Sequence, residues 1–245
     1  MTGDEASHSR LLSRREAIRI LGGGVAWLIA GSSILSRSVA TGAGPICVFR
    51  PEQTEGPYFV DERLHRSDIR SDPTTGEVKS GVPLALTVAL SRVDEGQCLP
   101  LSNAQVDIWH CDALGIYSDV KDPSFNTVGK RFLRGYQITD AQGVVRFLTI
   151  YPGWYEGRTV HIHIKVRTTV GTKGMYEFTS QVYFEDTLSD RIHTGDPYAT
   201  KGRRAGRNQD DRIFRRGGEQ LILAPTKTAD GYAAVFAVGL QVPSK

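Results

Sequence analysis

Beyond residue 80, apolar and polar positions alternate with a period of two, in short runs rich in β-branched residues. The runs 82–93, 104–111, 131–140, 144–152, 159–169, 178–185, 219–228 and 232–242 each predict a strand. Turn-forming clusters separate them, among them DEGQ, DAQG, PGWYEG, VGTKG and ADG. In ITDAQGVVRF, two alternating segments flank a Gly-containing loop, which predicts a hairpin. Short helical turns are expected near 189–192 and 210–214, and helical periodicity is otherwise confined to the N-terminal region. Many short strands at this spacing predict an all-β fold, a single-domain antiparallel β-sandwich over 82–245. The segment 41–81 lacks the alternation and carries the string PEQTEGPYF, so it reads as an irregular, Pro-stiffened arm laid across the sandwich.

The first forty residues follow another pattern. Arg14 and Arg15 precede an apolar, Gly-rich stretch from Ile20 to Leu35, and the small residues Ser38 and Ala40 follow. The stretch is shorter than the ~20 residues that cross a bilayer. Paired arginines, a short apolar segment and a small-residue cleavage site predict a Tat-type signal over 1–40, cleaved after Ala40. The expected product is periplasmic or extracellular, with no stable membrane insertion. Export in the folded state suits a protein that acquires a cofactor before it crosses the membrane. In an oxidising compartment the three cysteines (Cys47, Cys98, Cys111) predict one disulfide and one free thiol, with the pairing open. The absence of CxxC spacing argues against a thiolate metal site.

Composition adds exclusions. A formal net charge of +3, with 40% hydrophobic and 23% charged residues, describes an ordinary soluble domain and gives no basis for nucleic-acid binding. The basic stretch KGRRAGR (201–207) is followed by NQDDR and reads as a solvated loop.

The chemistry concentrates in WYEGRTVHIHIKV. Strand alternation puts Val160, Ile162, Ile164 and Val166 on one face and His161, His163 and Lys165 on the other. Two histidines two apart on a strand stand roughly 6.5–7 Å apart at the backbone, close enough to share one ion. A half-buried strand with wet histidines explains the same pattern. His110 adjoins Cys111, while His65 and His193 lie in polar, loop-like sequence. Glu156 and Asp119 leave open a zinc or Fe(II) site of two histidines and a carboxylate. Tyr155, after Pro152-Gly153, and Tyr117, in DALGIYSDV, are phenolic donors of the kind that suits ferric iron.

The strings GRTVHIHIKV after YPGWY, DIWHCDALGIYSDV upstream and TEGPYF near residue 54 together resemble the intradiol ring-cleavage dioxygenases. The likeness runs from about Cys47 to Val242 and is nearest the exported, single-domain branch related to protocatechuate 3,4-dioxygenase subunits. It implies an Fe(III) site with Tyr117 and His161 equatorial, Tyr155 and His163 axial, and a solvent ligand. It also implies that Tyr155 leaves the metal as a catechol chelates. Arg158 would stabilise charge building on the ring, and Gln181 would orient substrate. Thr54, Gly56, Pro57 and Tyr58 correspond to the segment lining the substrate mouth. The implied partners are a small catechol-type molecule and O2, with the oligomeric state open. The stretch from Tyr155 to His161 is shorter than in the well-known catechol and protocatechuate enzymes, and no helical dimerisation domain is present. Two other readings stand beside this one: a non-catalytic, transthyretin-like binding module, and the zinc or Fe(II) enzyme.

Overall fold

A computed structural model describes residues 47–94, 96–170 and 174–242. The leader expected over 1–40 lies outside the described residues. The elements are β1 (Pro83–Asp94), β2 (Gln97–Pro100), β3 (Gln105–Trp109), β4 (Arg134–Ile138), β5 (Val144–Ile150), β6 (His161–Val170), β7 (Gly174–Tyr183), α1 (Asp186–Ile192), β8 (Thr226–Lys227) and β9 (Tyr232–Leu240). Helical turns at Tyr198–Lys201, Asn208–Asp210 and Gly218–Leu221 lie in the long connection from α1 to β8. Among the described residues no helix is long and apolar enough to cross a membrane.

The strands form two sheets. One has the order β2-β1-β9-β8, with β5 also paired to β1; the other has the order β4-β3-β6-β7. Alternation decides what lies between them. Leu84, Leu86, Val88 and Leu90 of β1 and Phe236 and Val238 of β9 share one core with Val106, Ile108, Ile162, Ile164, Val166 and Val182 of the second sheet. Burying each such side chain is worth about 1.5–3 kcal/mol, so the core face of every strand is fixed by sequence period.

Partner choice is a different matter. ITDAQGVVRF does close a tight turn, with Gly143 N donating to Asp140 O at 2.9 Å. Its arms do not form a hairpin: β4 pairs with β3 and β5 with β1, so the turn carries the chain from one sheet to the other. Period two says which side of a strand is apolar, not which neighbour it bonds. The expected antiparallel sandwich also contains one parallel pair, β1 with β9, because the chain returns to β1 through the long connection after α1. The run 219–228 is mostly not a strand. Gly218–Leu221 is a helical turn, and only Thr226–Lys227 pairs with β9, just after Pro225, which has no N–H to give a ladder. The DEGQ turn stands where it is expected, between Asp94 of β1 and Gln97 of β2, whereas β2 itself has no counterpart among the expected strands. On it Cys98 forms a disulfide with Cys47 (Cα–Cα 5.5 Å), while Cys111 is free and buried.

The arm preceding β1 holds no named strand but is tied down throughout. Gln53 N donates to Thr179 O at 2.9 Å, Tyr136 N to Leu64 O at 2.8 Å and Leu148 N to Ser67 O at 2.8 Å. Ion pairs from Lys165 to Glu55 (2.7 Å) and from Arg167 to Asp61 (2.9 Å) pin its first part over the outer face of the second sheet.

Candidate metal centre

On β6 the even positions Ile162 and Ile164 enter the core, and His161 and His163 point to the other side. That side is not wet: each histidine is 2% exposed, because the arm and the loops around Tyr117 and Tyr155 cover it. Register sets the neighbours. Trp109 on β3 and Gln181 on β7 are the Cα partners of His163, and Tyr183 is the partner of His161.

The two tyrosines arrive on loops that lie backbone to backbone. Asp112 organises the first, its Oδ1 accepting from Leu114 N and Ile116 N at 3.0 Å. Gly115 follows, with φ +81° and Trp154 O 2.2 Å from where a Cβ would stand; a Cβ on Gly153 would meet Ala113 O at 2.3 Å. Glycine at both positions lets the loops touch, and this contact delivers Tyr117 and Tyr155 to the same spot.

Tyr117 Oη and Tyr155 Oη each lie 3.3 Å from His161 Nε2, and His163 Nε2 lies 3.1 Å from it. His161 Nδ1–H donates to Thr159 O at 2.7 Å, which leaves Nε2 as a lone pair aimed at the other donors. Donors at right angles around an ion with bonds of about 2.1 Å stand about 3.0 Å apart, so this spacing fits four donors around one metal ion. Burial drives both imidazoles well below the ordinary histidine range. Burial also raises the phenols, Tyr117 well above its ordinary value and Tyr155 to about 12. A bound cation inverts this logic for the phenols, which it stabilises as phenolates, and agrees with it for the imidazoles, which bind metal in the neutral form.

The carboxylate alternative loses its third ligand. Among the described residues no group of three or more His, Cys, Asp and Glu side chains is placed to hold a metal ion. Glu156 is exposed, and Asp119 accepts from Gly129 N at 2.7 Å. The remaining buried histidines are engaged elsewhere. His110 bonds Thr149 Oγ1 (2.6 Å) and Cys111 O (2.8 Å), and His193 bonds Pro152 O (3.0 Å).

Around the donors runs a polar network. Arg158 Nη1 lies 3.4 Å from Tyr155 Oη and 3.2 Å from His161 Nε2, and Nη2 donates to Gln181 Oε1. Gln181 Nε2 donates to Thr54 O at 2.8 Å, and Tyr183 Oη donates to its Oε1 at 3.1 Å. Arg158 Nε is held by Asp211 Oδ2 at 2.9 Å. Asp211 is 2% exposed and also accepts from Thr159 N (3.0 Å) and Ile213 N (2.7 Å). It belongs to the NQDDR string, whose Asn208 is buried as well. The preceding KGRRAGR stretch is largely exposed, as expected of a solvated loop, except at Arg204, which is buried, a correction at that residue. An Asp two residues before an apolar pair is a cap signal in sequence, but nothing local announces its second partner, Arg158, more than fifty residues away.

The arm residues enter unequally. Tyr58 stacks on Tyr117 (centroids 4.5 Å apart) and donates its hydroxyl to Asp122 Oδ2 at 2.7 Å. Gly56, at φ +73°, runs against the edge of the His163 ring. Thr54 contributes its carbonyl, and the side chains of Thr54 and Pro57 are exposed. Beside the donors opens a cavity of about 510 Å³, lined by Tyr58, Ile116, Phe125, Trp154, Tyr155 and Lys201 among others. That is the size of pockets that take small molecules.

Comparison with known proteins agrees with this geometry. A family model described as "Dioxygenase" matches residues 54–231. The chain is 34% identical over 160 residues to the protocatechuate 3,4-dioxygenase beta chain of Burkholderia cepacia, covering 60% of this chain and 66% of that one. It is 28% identical over 149 residues to a chlorocatechol 1,2-dioxygenase of Pseudomonas putida, covering 54% and 52%. It thus spans between half and two thirds of the length of these curated relatives. Among solved structures, an intradiol ring-cleavage dioxygenase from Tetranychus urticae superimposes with a TM-score of 0.67 at 30% identity, over 80% of this chain and 95% of that one.

Proposed function

Since the chain belongs to the intradiol ring-cleavage dioxygenase family, we propose that it is an exported ferric enzyme that opens catechol-type rings between their two hydroxyl-bearing carbons. Both atoms of O2 enter the product, a muconate-type diacid. The observation that carries the reading is the convergence of Tyr117 Oη, Tyr155 Oη and His163 Nε2 within 3.1–3.3 Å of His161 Nε2. Two phenols and two imidazoles, with no carboxylate, make a hard, anionic donor set suited to Fe(III). Relatives named for protocatechuate and chlorocatechol support a catechol-type substrate.

Tyr117, Tyr155, His161 and His163 would hold the iron. Bound there, it supplies a Lewis acid and electron acceptor that templates the catechol and O2. The remaining roles belong to the chain. Tyr155, which borders the cavity, would take a proton at Oη from an entering hydroxyl, starting from the phenolate form that it adopts only as a metal ligand. Arg158, which keeps its proton at any working pH, holds negative charge beside Tyr155 and the opening ring. Gln181, fixed by Thr54 O, Tyr183 and Arg158, presents one orientation of its amide to the reacting face. Tyr58 and Phe125 offer flat apolar walls to the ring.

Purified protein loaded with ferric iron is expected to show a visible phenolate-to-iron band and to consume O2 with catechols, giving the intradiol product by mass analysis. Iron-free protein that never acquires the band and is inert to a catechol panel would instead point to a binding module. Export is part of the proposal, supported by Arg14-Arg15, the apolar stretch and Ser38/Ala40, and by a disulfide of the kind that persists outside the cytoplasm. Replacing both arginines with lysine should leave the protein in the cytoplasmic fraction.

A further inference from the structure

The two histidines of the centre are held in different ways. His161 has the usual support of a ligating histidine, its Nδ1–H donated to a carbonyl, here Thr159 O at 2.7 Å. His163 has none: its Nδ1 is buried and makes no hydrogen bond among the described residues. Apart from His161, whose ring packs edge-on at a centroid distance of 4.7 Å, its ring is held by packing surfaces. Trp109 stands opposite it in the β3–β6 register, and the two rings stack at a centroid distance of 4.8 Å with only 6° between their planes. On the arm side, a Cβ at Gly56 would come within 3.4 Å of His163 Cε1, so the arm backbone closes the ring's edge. Trp109 Nε1 is itself buried without a partner among the described residues, so no polar bond of the indole seen there accounts for its placement. Its contacts are through ring surfaces, with Phe59 against it at 4.8 Å and Lys165 Nζ over Phe59 at 4.7 Å.

We infer that Trp109 is a positioning residue for the metal centre: its stacked face orients His163 in place of the hydrogen bond that orients His161. The inference rests on reading the four donors as an iron site. Without a partner at Nδ1, rotation of the His163 ring is opposed only by packing. Only a flat face at the Trp109 position keeps Nε2 trained on the other three donors. A leucine there keeps the position apolar but removes that face, and a phenylalanine keeps part of it. His163 then becomes the ligand most easily lost.

The test uses the full chain loaded with Fe(III) and carrying Trp109→Leu or Trp109→Phe. Ile108→Ala, on the core face of the same strand, controls for simple destabilisation. Three quantities are read: the rate of iron removal by EDTA, the position of the visible band, and the melting temperature of the iron-free protein. Trp109→Leu should release iron roughly tenfold faster or more, the scale seen when a ligand's supporting contact is removed, and should shift the band. Trp109→Phe should lie between Leu and the parent, while Ile108→Ala lowers the melting temperature and leaves the band in place. Trp109 variants that lower only the melting temperature, with parental release rate and band, overturn the inference. Should Trp109→Leu fail to fold, Trp109→Phe decides on the same two readings: faster release with a shifted band supports the inference, and parental values overturn it. A parent protein that takes up no iron overturns the iron reading and this inference with it, a result distinct from a loaded parent with an indifferent Trp109.

Discussion

The two sheets obey one alternation rule and end with opposite outer faces. In the β2-β1-β9-β8 sheet several positions facing away from the core, Thr87, Ala89, Ala233 and Ala237, are only half-buried, and Val235 reaches 65% exposure. In the β4-β3-β6-β7 sheet the corresponding positions carry Trp109, His161, His163, Gln181 and Tyr183, all 2% exposed or less. The difference comes from the covering: a pinned arm and two Gly-containing loops close over the second sheet, while the first is touched by the arm mainly along β5 and at the end of β9. A polar face that is sealed has to satisfy its groups internally or through a ligand. His161 Nε2, His163 Nε2 and two phenols that meet chiefly one another are what the second solution looks like.

The comparison breaks most visibly at His161. His161→Ala removes the atom from which the other three donors lie 3.1–3.3 Å away. Iron uptake and the visible band should be abolished, while the fold persists because the core face of β6 is untouched. Metal analysis and far-UV circular dichroism on one sample check both halves. Ile164→Ala, the same kind of deletion on the opposite face of the same strand, should do the reverse. It should cost about 2–5 kcal/mol in denaturant unfolding yet leave the band position of the folded, loaded protein unchanged. If Ile164→Ala shifts the band as strongly as a donor-side change, the two faces are not separable.

How much of this was legible beforehand follows from range. The side of β6 that holds histidine and the side that holds isoleucine are set by neighbours two apart, and the sequence displays them. Gly115 and Gly153 are visible as turn residues, although only the fold shows that they let two loops touch. Strand partners were hidden because alternation is blind to them, so the β4–β5 turn looked like a hairpin and the parallel β1–β9 pair had no sign. Tyr117, Tyr155, Arg158, His161, His163 and Gln181 were marked together only through a family resemblance; the spacing of HIH alone fits a wet strand equally well. Asp211 and Trp109 were missed because their significance lies in contacts across about fifty residues, with Arg158 and His163.

A third histidine sharpens the contrast. His110 follows Trp109 and reaches inward, bonding Thr149 on β5 of the other sheet at 2.6 Å. Burial lowers its pKa to about 4 from an ordinary value near 6.5. With the folded value the lower one, the unfolded chain takes up this proton first as pH falls. The resulting stability is fully present above pH ~6.5 and is lost progressively down to about pH 4. The loss is about 3 kcal/mol for this group. Unfolding of the iron-free protein at pH 7 and pH 4 should show that much more acid loss in the parent than in His110→Asn; equal acid losses refute the assignment.

The smallest expected effect lies at the border of the sealed face, where Asp211 holds Arg158. Asp211 Oδ2 accepts from both Arg158 Nε and Thr159 N, and Oδ1 accepts from Ile213 N. Asparagine cannot reproduce this. Whichever way its amide turns, its NH2 confronts an N–H donor, and the carboxylate charge that fixes the guanidinium is gone. If the oxygen stays with Ile213 N, Arg158 moves away from Tyr155 and Gln181 while the four donors keep their places. Asp211→Asn should therefore keep its iron and its band but lose about a hundredfold in kcat, the scale set by a small misplacement of a group at the reacting centre. Asp211→Glu should recover part of it, because charge survives where geometry is imperfect. Parental turnover in Asp211→Asn would mean that Arg158 is held well enough by Gln181 and its own strand entry. A lost band would mean that the network around Arg158 also builds the donor set.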